Sequence, residues 1–345
     1  MASPAARLLY GLSQTARVGW FSAHYLLARR LAHRPDARKP SRSDPKLAGL
    51  LRREMLALFR RDWANIEAGI YKLPRDVIPN PFERLGQSLR FFADLPRVER
   101  RRRHEFRREP VGHALAEGLP NYYLQNFHYQ TDGYLSAESA ELYDTQVEVR
   151  FTGAADAMRR QALVPRAAAI AGSPSRALKL VDVACGTGRF LGFVKQNWPR
   201  LAVTGIDLSR AYLAQARRHL AEWGRVELKQ GAAEALPLED ASVDLLTCIF
   251  LFHELPAKVR IAAAREFARV LRPGGRLVLV DSLQTGDRPE FEPLLKGFPA
   301  TFHEPYFADY CRTVLAALFA EAGLGLVSSD LAFLSKVLVF EKSPA

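Results

Sequence analysis

Cysteine is scarce in this chain: 345 residues hold three, Cys185, Cys248 and Cys311, spaced far apart and without a C-x-x-C pair. A disulfide framework and a cysteine zinc site are thereby excluded, no metal is expected, and a reducing compartment fits. Long apolar runs are missing too. The longest charge-free stretch of the N-terminal region, Val18 to Ala28, is 11 residues, against the ~20 that a bilayer-spanning helix needs. A cleaved signal peptide fits poorly, because Arg17 interrupts the apolar stretch and no A-x-A-like site follows. Acid is nearly absent from residues 1–42, which carry eight basic residues and only Asp36 of the opposite sign.

What is present is an average soluble composition, 48% hydrophobic and 25% charged, over a length that suggests about two domains at roughly 150 residues each. The net charge of +12 is placed unevenly: residues 1–119 hold 24 Lys+Arg against 12 Asp+Glu, and the remainder is balanced at 25 each. A neutral body with a basic N-terminal third suits an anionic surface or partner. Within residues 1–42, Leu8, Leu9, Leu12, Trp20, Phe21, Leu26 and Leu27 alternate with Arg7, Arg17, Arg29 and Arg30. Two readings stand side by side. The arm lies on an anionic membrane with Trp20 and Phe21 among the headgroups, without being needed to fold the core, or it packs on its own protein with solvated arginines. An Arg-rich, acid-poor organelle transit peptide has the same look. Specific nucleic-acid binding is not expected, since no nucleic-acid motif accompanies the charge.

Residues 34–46 read as a Pro- and Ser-containing linker, and the apolar spacing from Leu47 to Ile70 predicts an amphipathic helix. Prolines 74, 79, 81 and 96 mark turns, and Arg100 to Arg103 reads as a solvated helix face. Between Asn121 and Ser136 five rings, Tyr122, Tyr123, Phe127, Tyr129 and Tyr134, surround His128, Asn126, Gln130 and Asp132. That composition suits a pocket wall, or else a core segment whose tyrosines find local partners.

From residue 177 strands alternate with helices. Strand patterns at 178–185, 201–208, 225–231, 242–250 and 275–282 are separated by helical ones. A helix near 308–322 and a strand pair at 324–330 and 332–341 close the chain. This predicts an α/β fold, a doubly wound, seven-stranded, mostly parallel sheet with a mainly helical N-terminal extension. The expected division is a basic arm at 1–42, a helical lid region at 43–165 and a Rossmann-like domain at 166–345. The first strand runs into Asp182-Val183-Ala184-Cys185-Gly186-Thr187-Gly188, and the second ends in Asp207. Paired glycines after a strand let backbone approach a nucleotide, and the acid suits ribose hydroxyls. Leu191 stands where a dinucleotide fingerprint wants its third glycine, which disfavours a nicotinamide oxidoreductase.

VDVACGTGRF, GIDLS, GAAEALPLEDASVDLLTCIFLFHEL and REFARVLRPGGRLVLVDS, in this order, resemble the motifs of the class I S-adenosylmethionine-dependent methyltransferases, a superfamily that includes quinone-biosynthesis enzymes. The resemblance covers about residues 178–282 and implies S-adenosyl-L-methionine as cofactor. It implies that Gly186 and Gly188 cradle the cofactor's amino-acid and ribose portion, that Asp182 acts on its ammonium and that Asp207 holds its ribose. Ala233 and Glu234 would border the adenine, and Tyr143 of the Tyr143-Asp144 pair would cover the sulfonium. Ala184 replaces a common glycine, which an ordinary strand end accommodates, and Ala232 stands where an acid is usual, leaving backbone groups to read the adenine.

Methyl transfer is an in-line displacement that depends mainly on positioning, with a base only if the acceptor keeps its proton. His253, His128 and Tyr129 are the candidates, followed by Glu254, Asp281, His303, Glu304 and Tyr306. The expected acceptor is small and hydrophobic, lipid-like or aromatic. The alternative is a non-catalytic cofactor-binding scaffold recruited through its basic arm.

Overall fold

The computed structural model describes residues 3–32, 45–104, 116–171 and 177–343. The linker expected at 34–46, with Arg34, Arg38, Lys39 and Arg42 of the arm, lies almost wholly outside them. By contact the chain divides into two compact units, Met1–Met158 with Thr301–His303, and Arg159–Ala300 with Glu304–Ala345. The boundary therefore falls between Met158 and Arg159, where the sequence suggested 165.

The first unit is helical: α1 (Pro4–Leu31), α2 (Pro45–Glu67), α3 (Pro81–Arg103) and α4 (Ala137–Arg150). Ser3 caps α1, its hydroxyl accepting from the Ala6 amide, and Pro4 opens the helix where a missing N–H costs nothing. One face of α1 is built into this unit. The Tyr10 hydroxyl donates to Asp62 Oδ2 at 2.6 Å, while Tyr71 donates to Oδ1 of the same buried carboxylate at 2.7 Å. Arg17 donates to Glu148 and Asp156 and to the Gly153 carbonyl. His24 bonds Ser88 of α3. Phe21 is buried in this unit, so it cannot lie among lipid headgroups, and Arg17 is not a solvated charge. The helix thus packs on its own protein and belongs to the fold of this unit rather than being a dispensable arm. Its other face leaves Leu8, Leu12, Leu26, Leu27 and Leu31 exposed. No helix among the described residues is long and apolar enough to cross a membrane.

Two readings of α3 are corrected. Pro96 sits inside the helix, not in a turn. The arginines after it are not simply solvated: Arg101 is buried and donates to Thr131, Arg102 pairs with Glu99, and Arg103 donates to the Ala32 carbonyl. Their long apolar stems pack while the guanidinium ends find acceptors.

The second unit carries α5 (Leu163–Ala171), β1 (Lys179–Val183), α6 (Arg189–Asn197), β2 (Ala202–Asp207), α7 (Arg210–His219), β3 (Val226–Gln230), β4 (Val243–Ile249), α8 (Ala257–Val270), β5 (Leu271–Ser282), α9 (Leu315–Glu321), β6 (Leu324–Ala332) and β7 (Ser335–Lys342). The sheet has seven strands in the order β3-β2-β1-β4-β5-β7-β6. Pairs from β3 through β5 are parallel, and β7 runs antiparallel to both β5 and β6. Leu180, Val181, Val183, Leu246, Cys248, Leu277 and Leu279 are buried, as near-continuous apolar strands in a sheet covered on both faces require. The edge strand β6 turns Ser328, Ser329 and Asp330 to solvent, polar side chains that discourage further strand pairing.

The helix expected at 308–322 is broken. A turn at Phe307–Tyr310 precedes α9, because the Gln284 amide donates to the Tyr310 and Thr313 carbonyls between them. The order of strands reverses between β1 and β4. In such sheets ligands bind outside the carboxyl ends of the strands at that reversal.

Candidate active site

The chain leaves β1 through Ala184-Cys185-Gly186-Thr187-Gly188 and enters α6. Gly188, at the head of α6, has φ +75°, and a Cβ there would stand 2.9 Å from Leu220 and 3.1 Å from Ala216 of the neighbouring helix. Only glycine fits that turn. Gly186 is also left-handed, and its amide donates to Asp207 Oδ2 at 2.8 Å. The other Asp207 oxygen accepts from the Ser209 amide. Asp207 thus latches the glycine loop to the end of β2, a role its sequence position did not reveal. Burial raises its carboxyl to about 6 against these two bonds.

Ala184 departs from the expectation of an ordinary strand end. Its φ is +56°, in the region that favours glycine. Asp182, buried in β1, accepts from the Thr247 hydroxyl of β4, and burial pushes it up to about 7 despite that bond and the nearby Arg166. Beyond β3, Ala232 and Ala235 form a small bridge with the buried Ala233 and the half-buried Glu234 between them.

At the ends of β4 and β5, His253 Nδ1 lies 2.6 Å from Asp281 Oδ1. Asp281 is also held by the Phe252 and Ser282 amides. Burial alone would lower the His253 pKa, but Asp281, with Glu304 and Glu254 behind it, raises it to about 9. Phe307 and Tyr310 stand edge-on to the imidazole, each with its ring centroid 6.1 Å away. Cys185 and Cys248 are buried and held as thiols, since burial raises both.

Glu304 and Tyr306 also belong to the second unit, whereas His128, Tyr129 and His303 belong to the first. His128 is buried with its ring edge-on to Phe302, and its amide donates to the His303 carbonyl. Tyr129 lies beside the His303 ring, and His303 Nε2 bonds Gln125. His128, Tyr129 and Asp132 all have φ near +57°, at a cost of about 1–3 kcal/mol each. The segment is a packed and strained block, with Tyr134 in ring contact with Tyr123, Phe127 and Tyr143.

One residue escaped sequence reasoning. Arg166 of α5 is fully buried, and none of its nitrogens has a hydrogen-bond partner among the described residues. Its signal was present: it is the single charge in the helix LVPRAAAIA. In the second unit the arrangement is therefore two buried carboxylates at neighbouring strand ends, a glycine loop that excludes side chains and an orphaned cation. That donor set fits a nucleoside bearing a zwitterionic amino-acid tail.

Known proteins similar to this chain are methyltransferases. A family model described as a methyltransferase domain matches residues 180–275. The demethylmenaquinone methyltransferase of Deinococcus radiodurans is 34% identical over 188 residues, covering 54% of this chain and 71% of that protein. The demethylmenaquinone methyltransferase of Staphylococcus aureus is 37% identical over 107 residues, and this chain spans 44% of its length. Among solved structures, a methyltransferase from Methanosarcina mazei aligns over 48% of this chain and 93% of its own, at 19% identity and a TM-score of 0.40.

Proposed function

The chain belongs to the class I S-adenosylmethionine-dependent methyltransferases, and from that premise we propose that its acceptor is a small, lipid-like molecule with a hydroxylated ring, of the quinol type. The bound cofactor supplies an electrophilic methyl group on sulfur. In this reading Asp207 accepts from the ribose hydroxyls, Gly186 and Gly188 let the backbone lie against the cofactor, Asp182 faces its ammonium, and Ala233 with Glu234 borders its adenine.

The observation that carries the acceptor class is the pair of His253 and Asp281. With Nδ1 bound to Asp281 and the pKa raised to about 9, the ring is an imidazolium near neutral pH. It then acts as a hydrogen-bond donor rather than as a base. Such a donor stabilises an acceptor oxygen as its anion, and a ring oxyanion enriches the neighbouring ring carbon or is itself methylated. An amine acceptor gains nothing from a cation beside it. The rings of Phe307 and Tyr310 supply apolar surface around the imidazole, and two relatives carry names that specify a quinone-type acceptor.

The test incubates purified protein with S-adenosylmethionine and a reduced, demethylated naphthoquinol of short side chain, following S-adenosylhomocysteine. Formation that depends on the quinol is expected, with His253→Gln slower by roughly a hundredfold. Transfer to amines or thiols with none to any hydroxylated ring would overturn the assignment.

A separate observation supports an anionic membrane surface as a partner of the first unit. Leu8, Leu12, Leu26, Leu27 and Leu31 of α1 and Phe82, Leu85 and Leu89 of α3 are exposed, with the exposed Arg7, Arg29, Arg30 and Arg90 on the same two helices. Apolar side chains interspersed with cations match the interfacial zone of an anionic bilayer.

A further inference from the structure

Arg166 is 0% exposed. Two other cations among the described residues of the second unit are as deeply buried, and both donate to acceptors, with only Nε of Arg260 lacking one. Arg260 donates to the Leu255 carbonyl, to Asp309 and to Thr313, and Lys195 donates to the Pro199 and Leu201 carbonyls. Among the described residues Arg166 has no acceptor for Nε, Nη1 or Nη2. Its guanidinium carbon lies 5.2 Å from the centroid of Phe190, in the first turn of α6 directly after the glycine loop. Burial lowers its pKa to about 9 even though Asp182 acts in the opposite direction.

An unpaired buried guanidinium is costly, whereas an apolar residue of similar volume in its place is neutral or stabilising. A fold that keeps such a group beside a ligand loop keeps it for a charge that arrives with the ligand. S-adenosylmethionine brings one anionic group, the carboxylate of its amino-acid portion, next to its ammonium. Asp182, whose electrostatic interaction with Arg166 is felt by both, supplies the opposite charge.

We infer that Arg166 binds the cofactor's carboxylate, so that Arg166 and Asp182 together read the zwitterion at the amino-acid end. The inference rests on the glycine loop being the cofactor seat. A planar guanidinium suits a carboxylate because it donates two parallel N–H bonds, and the Phe190 ring lies against it with the guanidinium carbon 5.2 Å from its centroid. No residue of the methyl-transfer chemistry is involved, so its signature is in binding.

The test compares S-adenosylmethionine with decarboxylated S-adenosylmethionine, which keeps the sulfonium and the ammonium, by calorimetry on the full chain. The native protein should bind the carboxylated form roughly tenfold to a hundredfold more tightly, the range expected for charge-assisted hydrogen bonds. Arg166→Met should bind both forms with the weaker affinity, while its ligand-free melting temperature equals or exceeds that of the native protein. If the methionine variant fails to fold, Arg166→Lys serves, with a preference reduced but not abolished. Retention of the full preference by Arg166→Met overturns the inference. So does loss of both ligands together with a fall in melting temperature, which would mark Arg166 as structural. A native protein that binds both forms equally well overturns it while leaving the cofactor seat intact, whereas one that binds neither refutes the seat itself.

Discussion

Asp207 and His253 both have raised pKa values, and for Asp207 the pH dependence of ligand binding and that of stability have opposite signs. Burial outweighs its two amide donors and raises Asp207 to about 6, and in the proposed seat ribose hydroxyls would donate more strongly to its ionised form. Affinity for S-adenosylhomocysteine should therefore rise between pH 5 and 7, and Asp207→Asn should flatten that rise and weaken binding by about tenfold, equivalent to ~1.4 kcal/mol. Calorimetry across that range checks both. In the ligand-free protein the sign reverses: the folded carboxyl holds its proton above the unfolded value of 3.8, so its contribution to stability is lost as pH rises from about 4 to about 6. His253 behaves as a raised histidine. Its contribution is complete below 6.5 and disappears as pH climbs through about 9. Asp281→Asn removes the anion that overcomes burial, so the imidazole should titrate below 6.5, read by NMR of its ring protons, and turnover should fall. An unchanged titration would show that Asp281 does not set the charge.

At the scale of the element, the turn from β1 into α6 concentrates strain that its sequence only half discloses. Gly186 and Gly188 declare their left-handed conformations openly, but Ala184 occupies φ +56° with a methyl group in place. Replacing it by glycine removes about 1–2 kcal/mol of strain while adding about 0.5–1 kcal/mol of unfolded-state entropy. Ala184→Gly should accordingly stabilise the protein by up to about 1 kcal/mol, measured by urea unfolding, with cofactor affinity unchanged. A loss of stability would place the strain elsewhere. The parallel strands were legible because each is a short apolar run between helical patterns. The glycine loop was legible because paired glycines and an acid at the next strand end form a local pattern. What escaped depended on tertiary partners. The helix at 308–322 is cut by Gln284, the arginines of α3 are satisfied by Thr131 and Ala32, and α1 is held by Asp62, Glu148 and Asp156. Each of those contacts spans at least 20 residues of sequence, beyond the reach of periodicity. Arg166 lay between the two cases: a single charge in an apolar helix points to burial, but only the absence of an acceptor points to a ligand.

At the scale of the whole molecule, the charge asymmetry and most of the exposed large apolar side chains among the described residues coincide in residues 1–119, which hold 24 basic against 12 acidic residues. The two features suit different components of one surface. Arginines near an anionic leaflet contribute about 1 kcal/mol each before screening, over a range of about 8–10 Å at physiological salt. Leucine and phenylalanine add apolar burial that salt does not weaken. Since α1 is built into its unit through Tyr10, Arg17 and His24, deleting it would confuse unfolding with loss of binding, and point substitutions on its exposed face are the better probe. Phe82 is 82% exposed and Leu8 65% exposed, so Leu8→Glu and Phe82→Glu should leave thermal stability within about 0.5 kcal/mol of native. Co-sedimentation with vesicles containing phosphatidylglycerol should be strong for the native chain, weaker in high salt and weaker still for the double variant. Phosphatidylcholine vesicles should retain little of it. If the double variant sediments like the native protein, the leucine and phenylalanine faces of α1 and α3 are not the membrane surface. If binding is equal on neutral lipid, the arginines contribute nothing and the charge asymmetry serves another partner. If the acceptor is lipid-borne as proposed, such attachment would confine enzyme and acceptor to one surface and raise their effective concentration without any new contact at the site.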